Sequence, residues 1–239
     1  MRSAAYTIRW GRLALFLLLA PAGAHAALPE KLELKYTLHY GKLLAGHTVR
    51  TLTREPDGSY RHTTWTRPAG LARAFTSAEW FEEGRLRVKD DGVQPLSYLK
   101  YREGGRKPRR HSVVFDWAKQ LIRFHDGREQ ALPAGTQDEG SILFAFMLRP
   151  PAPQSEQSLH VTNGKKLVSY RYLAAGTETL ATPLGTLRTL VLKRLPQDGA
   201  AGEDLTLWLA LDRRNIPVKV RLREDDREAT LLIESAGGI

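Results

Sequence analysis

The sequence predicts an all-β, mainly antiparallel fold, a barrel-like or strongly curved sheet carrying one short helix near residues 138–148. Side chains alternate between apolar and polar at period two over long stretches, and turn residues recur at short intervals from end to end. After residue 26, only the segment Asp138–Leu148 carries apolar residues continuously, without that alternation.

At the N-terminus, Arg2, Arg9 and Arg12 precede an uninterrupted apolar run from Leu13 to Ala20. Pro21 and Gly23 break the run, and Ala24-His25-Ala26 supplies a small-x-small cleavage pattern. Charged, apolar and small-residue zones in that order predict a secretory signal peptide over residues 1–26, cleaved after Ala26. The apolar run is shorter than the roughly 20 residues that a spanning helix needs. The remainder, residues 27–239, reads as one domain, expected to be soluble in the periplasm or outside the cell.

Composition narrows the chemistry. The chain holds 36 Lys and Arg against 26 Asp and Glu, and it stays basic when the three leader arginines are set aside. It has no cysteine, which excludes a disulfide, a thiolate zinc site, a cysteine nucleophile and the lipid-bearing cysteine of a lipoprotein.

The first strand is read from Leu32, Leu34, Tyr36, Leu38 and Tyr40, which alternate with Lys31, Glu33, Lys35, Thr37 and His39. A four-residue loop over Gly41–Leu44 would pair Tyr40 with Ala45, Leu38 with His47 and Tyr36 with Val49, placing His47 inside and His39 outside. Turn chemistry follows at Glu55-Pro56-Asp57-Gly58, Asp90-Asp91-Gly92, Glu103-Gly104-Gly105, Asp126-Gly127 and Asn163-Gly164. Thr182-Pro183-Leu184-Gly185 predicts a tight turn into a strand through Leu187–Leu192. Near the end, Leu205, Leu207, Leu209 and Leu211 face Val218, Val220 and Leu222 if Leu211 pairs with Val218, and Ala229, Leu231 and Ile233 continue that face. The helix is read over Asp138–Leu148, with Asp138 at its cap and Pro150-Pro151 after it.

Four stretches together resemble the DUF3108 family of bacterial exported domains: Tyr36–Gly46 (YTLHYGKLLAG), Asp138–Arg149 (DEGSILFAFMLR), Glu178–Arg194 (ETLATPLGTLRTLVLKR) and Leu207–Val220 (LWLALDRRNIPVKV). The resemblance implies a periplasmic protein of Gram-negative bacteria with a mainly β, barrel-like fold. It brings no established activity, so no functional residue is carried over. Glu139 and Gly140 stand where the family pattern leads one to expect apolar residues.

No catalytic, metal or cofactor signature is present. No two histidines share a metal-ligand spacing, although His111 and His125 flank a hairpin that would bring them near each other. Ser141 lacks the Gly-x-Ser-x-Gly elbow and suits a helix cap. The acidic pairs Glu82/Glu83, Asp90/Asp91 and Asp225/Asp226 read as solvated turns.

Basic residues stand above background. Lys100, Arg102, Arg106, Lys107, Arg109 and Arg110 crowd one hairpin, with Arg102 expected across from Lys107 and Lys100 from Arg109. Lys219, Arg221 and Arg223 form a second stripe beside Trp208, which the register sets across from Arg221 for a cation–π contact. These residues are the candidate anion-binding surface, with an anionic lipid head group, an acidic polysaccharide or an envelope protein as partner and no nucleic acid. A second candidate is the barrel interior, for which Tyr36, Tyr40, Trp65, Phe75, Trp80, Phe81, Tyr98, Trp117, Tyr170 and Tyr172 supply aromatics. The function expected is non-enzymatic binding of a lipid-like or anionic ligand. The alternatives are a hydrolase with dispersed catalytic residues and a structural partner in an envelope complex.

Overall fold

A computed structural model describes residues 27–89, 92–104, 109–196 and 203–239; the signal peptide reading falls outside them. The first eight strands are β1 Lys31–Tyr40, β2 Leu43–Arg54, β3 Tyr60–Pro68, β4 Glu79–Lys89, β5 Gly92–Glu103, β6 Arg109–Asp116, β7 Leu121–Phe124 and β8 Glu129–Ala131. The short β9 Gln137–Asp138 leads into helix α1 Ser141–Leu148. After it come β10 Glu156–Thr162, β11 Leu167–Thr182, β12 Gly185–Arg194, β13 Glu203–Ala210, β14 Ile216–Glu224 and β15 Arg227–Gly237.

All fifteen strands lie in one sheet, as two meanders that grow outward from the pair β1–β15: β1 to β8 on one side, β15 back to β9 on the other. Every ladder is antiparallel except the parallel contact of β9 with β10. Strand connections therefore alternate between two ends. Those that follow Tyr40, Pro68, Glu103, Thr162, Arg194 and Glu224 gather at one end, here called the mouth, and those that follow Arg54, Lys89, Asp116, Thr182 and Ala210 gather at the base.

The sheet curls until β5 meets β9 without a ladder between them. Gln137 Nε2 donates to the carbonyl of Val93 (2.8 Å), and Arg128 Nη2 donates to the carbonyl of Lys165 (2.8 Å). Gly164 lies against His111, where an added Cβ would come within 3.0 Å of the His111 Cβ. These contacts close a barrel-like spiral, and β6 to β8 run on past the seam.

Period-two alternation places Leu32, Leu34 and Tyr36 inside and Lys31, Glu33 and Lys35 outside. The first hairpin is tighter than its sequence suggested. Tyr40 pairs with Leu43 across the two residues Gly41-Lys42, and Gly41, at φ +57°, takes the left-handed backbone that the first central position of such a turn needs. A bulge between Leu38 and His39 then sets Tyr36 across from Thr48 and Thr37 across from His47. His47 is therefore outside, 3.8 Å from Glu234, while Thr48 and Arg50 turn inward and are buried. The C-terminal register is also displaced, because Ala210 and Ile216 close that turn and a bulge follows Trp208. Leu207 pairs with Val220 and Leu205 with Leu222, on the same face as expected but one pleat along. Leu222 and Val220 meet Ala229 and Leu231 on β15, as the alternation implied.

The helix begins at Ser141, three residues later than expected, because Gln137–Asp138 is drawn into the sheet. The N-cap is Gly140 and not Asp138, which ties the helix start from β9: its Oδ1 accepts the N–H groups of Gly140 and Ser141 (both 2.8 Å), and Ser141 Oγ accepts the N–H of Asp138 (2.9 Å). The helix is apolar nearly all round because it runs inside the sheet. Phe144 and Met147 join a core with Leu32, Leu34, Leu52 and Leu86. Ile142, Leu143 and Phe146 join another with Leu190, Leu192, Leu207 and Leu209.

Candidate functional site, an apolar cavity with a buried arginine

Above the first turn of α1 the interior is not filled. A cavity of about 300 Å³ lies there, toward the mouth. Its walls are the inward side chains of β13, β14 and β15 (Leu205, Leu207, Val220, Leu222, Leu231), with Tyr170 and Tyr172 from β11 and Ile142 and Leu143 from the helix below. Asn163, Lys166 and Arg194 lie where the strands reach the mouth. Arg194 also sits over the ring of Tyr170, 4.6 Å from its centroid.

Arg50 and Glu139 complete the lining. Arg50 is only 7% exposed, and its Nη1 is buried without a hydrogen-bond partner. Burying a guanidinium is costly unless its N–H groups are met, and this one shares the lining with the carboxylate of Glu139.

Behind Arg50 lies a polar centre that β2 to β5 and the helix start build together. Lys100 Nζ is 2.5 Å from Glu139 and 3.2 Å from Glu82; burial alone would lower its pKa, but the two carboxylates outweigh burial and hold it raised. His62 is fully buried, its ring held between Gly84 and Gly140, where an added Cβ would lie 2.2 and 2.3 Å from ring atoms. Both ring nitrogens lack hydrogen-bond partners, and Nε2 stands 3.7 Å from Asp138 Oδ1. Burial, helped by the nearby Arg50 charge, pushes the His62 pKa down to about 3. Burial likewise pushes Asp138 up to about 7, against the hydrogen bonds from Ser141 and Gly140 that favour its ionised form. The Tyr98 hydroxyl is also buried and unpartnered.

A second hollow, a cleft of about 580 Å³, opens on the other side of Asn163 and is lined by Trp80, Tyr101, Arg102, Arg109, Arg110, His111 and Lys165, with Lys100 at its inner edge. Here the predicted basic hairpin is found, with its register corrected: Arg102 pairs with Arg109 and Lys100 with His111. Lys100 is thus an inward-facing, ion-paired residue and not part of a free cationic surface. Arg106 and Lys107 lie outside the described residues. The rings of His111 and His125 do approach, centroids 5.4 Å apart, but among the described residues no three His, Asp or Glu gather as a metal site would require.

The second basic stripe is separate from both hollows. Trp208 pairs with Lys219, not Arg221, and is only 6% exposed. Lys219 Nζ lies 4.6 Å and the Arg221 guanidinium 5.6 Å from its ring, while its Nε1 donates to Glu178 (2.5 Å). Arg223 pairs with Glu228 (2.9 Å). The aromatics divide. Tyr36, Tyr98 and Tyr172 are buried inside, whereas Tyr40, Trp65, Phe75 and Trp80 are exposed. Arg50, Lys166 and Arg194 escaped the sequence reading; the inward alternation of Thr48, Arg50 and Leu52 was the signal that the correct hairpin register would have exposed.

Fold and site together define a barrel-like β protein with a helix inside and a partly apolar, cation-bearing cavity toward one end. A solved structure of the same kind is the beta-barrel-like protein of domain of unknown function DUF1849 from Brucella abortus, at 9% identity and TM-score 0.56, covering 87% of this chain and 97% of that one. A DUF1329 family protein from Desulfovibrio piger aligns over 88% of this chain and 86% of its own, at 9% identity and TM-score 0.30. None of the curated proteins compared with the chain matches it. The family model of the protein of unknown function DUF3108 matches residues 35–233, and the chain belongs to that family.

Proposed function

We propose that this protein is a non-enzymatic binder of an amphiphile with one anionic head group, acting in the periplasm after export. The observation that carries the reading is Arg50, a buried guanidinium with an unpartnered Nη1 on the wall of an otherwise largely apolar cavity. An acyl or other hydrocarbon tail would lie against Leu205, Leu207, Val220 and Leu222, and its carboxylate or phosphate would meet Arg50, with Lys166 and Arg194 adding positive potential. The cavity is at the small end of the range for ligand sites, which suits one chain and not a full diacyl lipid. Ser141 supports binding over hydrolysis: its Oγ is fully buried and engaged with the backbone of Asp138.

The test is a titration of the purified, delipidated protein with dodecanoate and with dodecanol, read by displacement of a fluorescent fatty acid. Dodecanoate should bind at least tenfold more tightly than dodecanol. Arg50→Gln should erase that preference, as expected for a charge-assisted hydrogen bond worth about 1.5–3 kcal/mol. Leu207→Trp, which fills the cavity, should abolish binding of both. Equal binding of dodecanoate by wild type and Arg50→Gln would overturn the reading.

A further inference from the structure

At the mouth, three large apolar side chains point into water: Leu43 is 63% exposed, Leu71 70% and Phe75 88%. They come from two adjacent connections, the β1–β2 turn and the 3-10 turn Gly70–Ala74 between β3 and β4, which pack together. Ala69 N donates to the carbonyl of Ala45 (3.0 Å), and Gly70 abuts the carbonyl of Leu44. Apolar tips this exposed carry a free-energy cost in water that only a partner removes.

Just behind the tips, the outer face carries a continuous aromatic row across β3, β4 and β5. Trp65 meets Phe81 edge-on (6.5 Å) and Phe81 meets Tyr101 (5.0 Å). Arginines cover its two ends: the Arg67 guanidinium lies 3.3 Å from the Trp65 ring and that of Arg110 5.9 Å from Tyr101. Projecting Leu and Phe, with Trp, Tyr and Arg gathered just behind them, is the set of side chains that collects at a membrane interface, apolar tips toward hydrocarbon and aromatic and cationic groups at head-group level. The sign of the charge selects the surface. Among the described residues 40–44, 65–80, 101–104 and 109–110, six Lys and Arg stand against two Glu, so this side of the mouth, away from the acidic turn at Glu224–Glu228, is matched to an anionic lipid layer.

We infer that the protein docks on an anionic bilayer through its mouth, with Leu43, Leu71 and Phe75 inserted at the interface. This deepens the amphiphile reading, because the cavity opens toward the same end and a docked barrel would present it to the lipid. Transfer of a single-chain amphiphile between membrane and cavity is the step that such a geometry serves.

The experiment is flotation of the purified protein with vesicles of phosphatidylethanolamine and phosphatidylglycerol at 3:1, against pure phosphatidylcholine, with intrinsic tryptophan emission recorded in parallel. Wild type should partition at least tenfold better to the anionic vesicles, with a blue shift from Trp65 and Trp80 that Trp65→Phe/Trp80→Phe removes. Leu71→Ser/Phe75→Ser touches only exposed positions, so its melting temperature should match wild type while its vesicle partitioning falls at least tenfold. Arg67→Glu/Arg73→Glu should lower anionic partitioning similarly and leave phosphatidylcholine unchanged. Equal flotation of wild type and Leu71→Ser/Phe75→Ser, or no flotation of wild type, would overturn the docking surface. The two readings fail separately: Arg50→Gln should keep vesicle docking, and Leu71→Ser/Phe75→Ser should keep dodecanoate binding.

Discussion

Acidification from pH 7 to pH 4 should change the stability contributed by His62 and Asp138 very little, because the two buried groups pull in opposite directions. His62 is held near 3 in the folded protein against an ordinary 6.5. Below pH 6.5 the unfolded chain takes up a proton there and the folded chain does not, so stability is lost as pH falls, by about 3 kcal/mol between 6.5 and 4 at ~1.4 kcal/mol per pH unit. Asp138 has the opposite sign. It is held near 7 against an ordinary 3.8, so the folded form protonates first, and stability rises as pH falls from 7 to 4, by about 4 kcal/mol. The sum is within roughly 1 kcal/mol of flat. Single substitutions should uncover the halves. Asp138→Asn keeps the oxygen that accepts from Gly140 and Ser141, leaves His62 alone and should lose about 3 kcal/mol on acidification relative to wild type. His62→Gln should instead gain about 4 kcal/mol over the same interval. Urea unfolding of the three proteins at pH 4, 5, 6 and 7 measures the differences. The exposed carboxylates of Asp57, Asp126 and Glu228, whose pKa values hydrogen bonds keep low, are common to all three and cancel. Parallel pH slopes for the two variants would refute the reasoning.

The glycine cradle of His62 makes Gly140→Ala costly, since the new methyl would overlap the imidazole; a loss of about 1–3 kcal/mol is expected in thermal melts. Adding His62→Ala should make Gly140→Ala nearly neutral in the double variant. Trp208→Phe removes the bond to Glu178 and weakens the cation–π contact with Lys219, and should cost about 1–2 kcal/mol in urea unfolding with little effect on dodecanoate binding.

The strand content and the one α-helix among the described residues were legible because alternation and turn chemistry are local. Leu32, Leu34 and Tyr36 declare a buried face without reference to any other strand, and the segment after Gly140 declares a helix by its lack of alternation. Register was harder to read. A two-residue turn at Gly41-Lys42 and a bulge at His39 moved the facing residue by one, which turns a whole strand over. That slip hid Arg50, the residue on which the cavity reading depends. The basic hairpin was visible as composition, but which of its cations were spent internally was not. Lys100 meets Glu139 across 39 residues of sequence, and only the curl of the sheet against the helix start brings them together.

The central β1–β15 pair joins the two most distant parts of the described chain, Glu33 facing Gly237, and both strands come off the sheet at the base. A permuted gene that links these ends and opens the chain between β8 and β9 would convert the longest-range ladder into a hairpin and should speed folding. For the same reason, an affinity handle or solid-support linker placed after Gly237 departs from the side remote from the exposed tips Leu43, Leu71 and Phe75, and an immobilised molecule keeps its mouth toward solution.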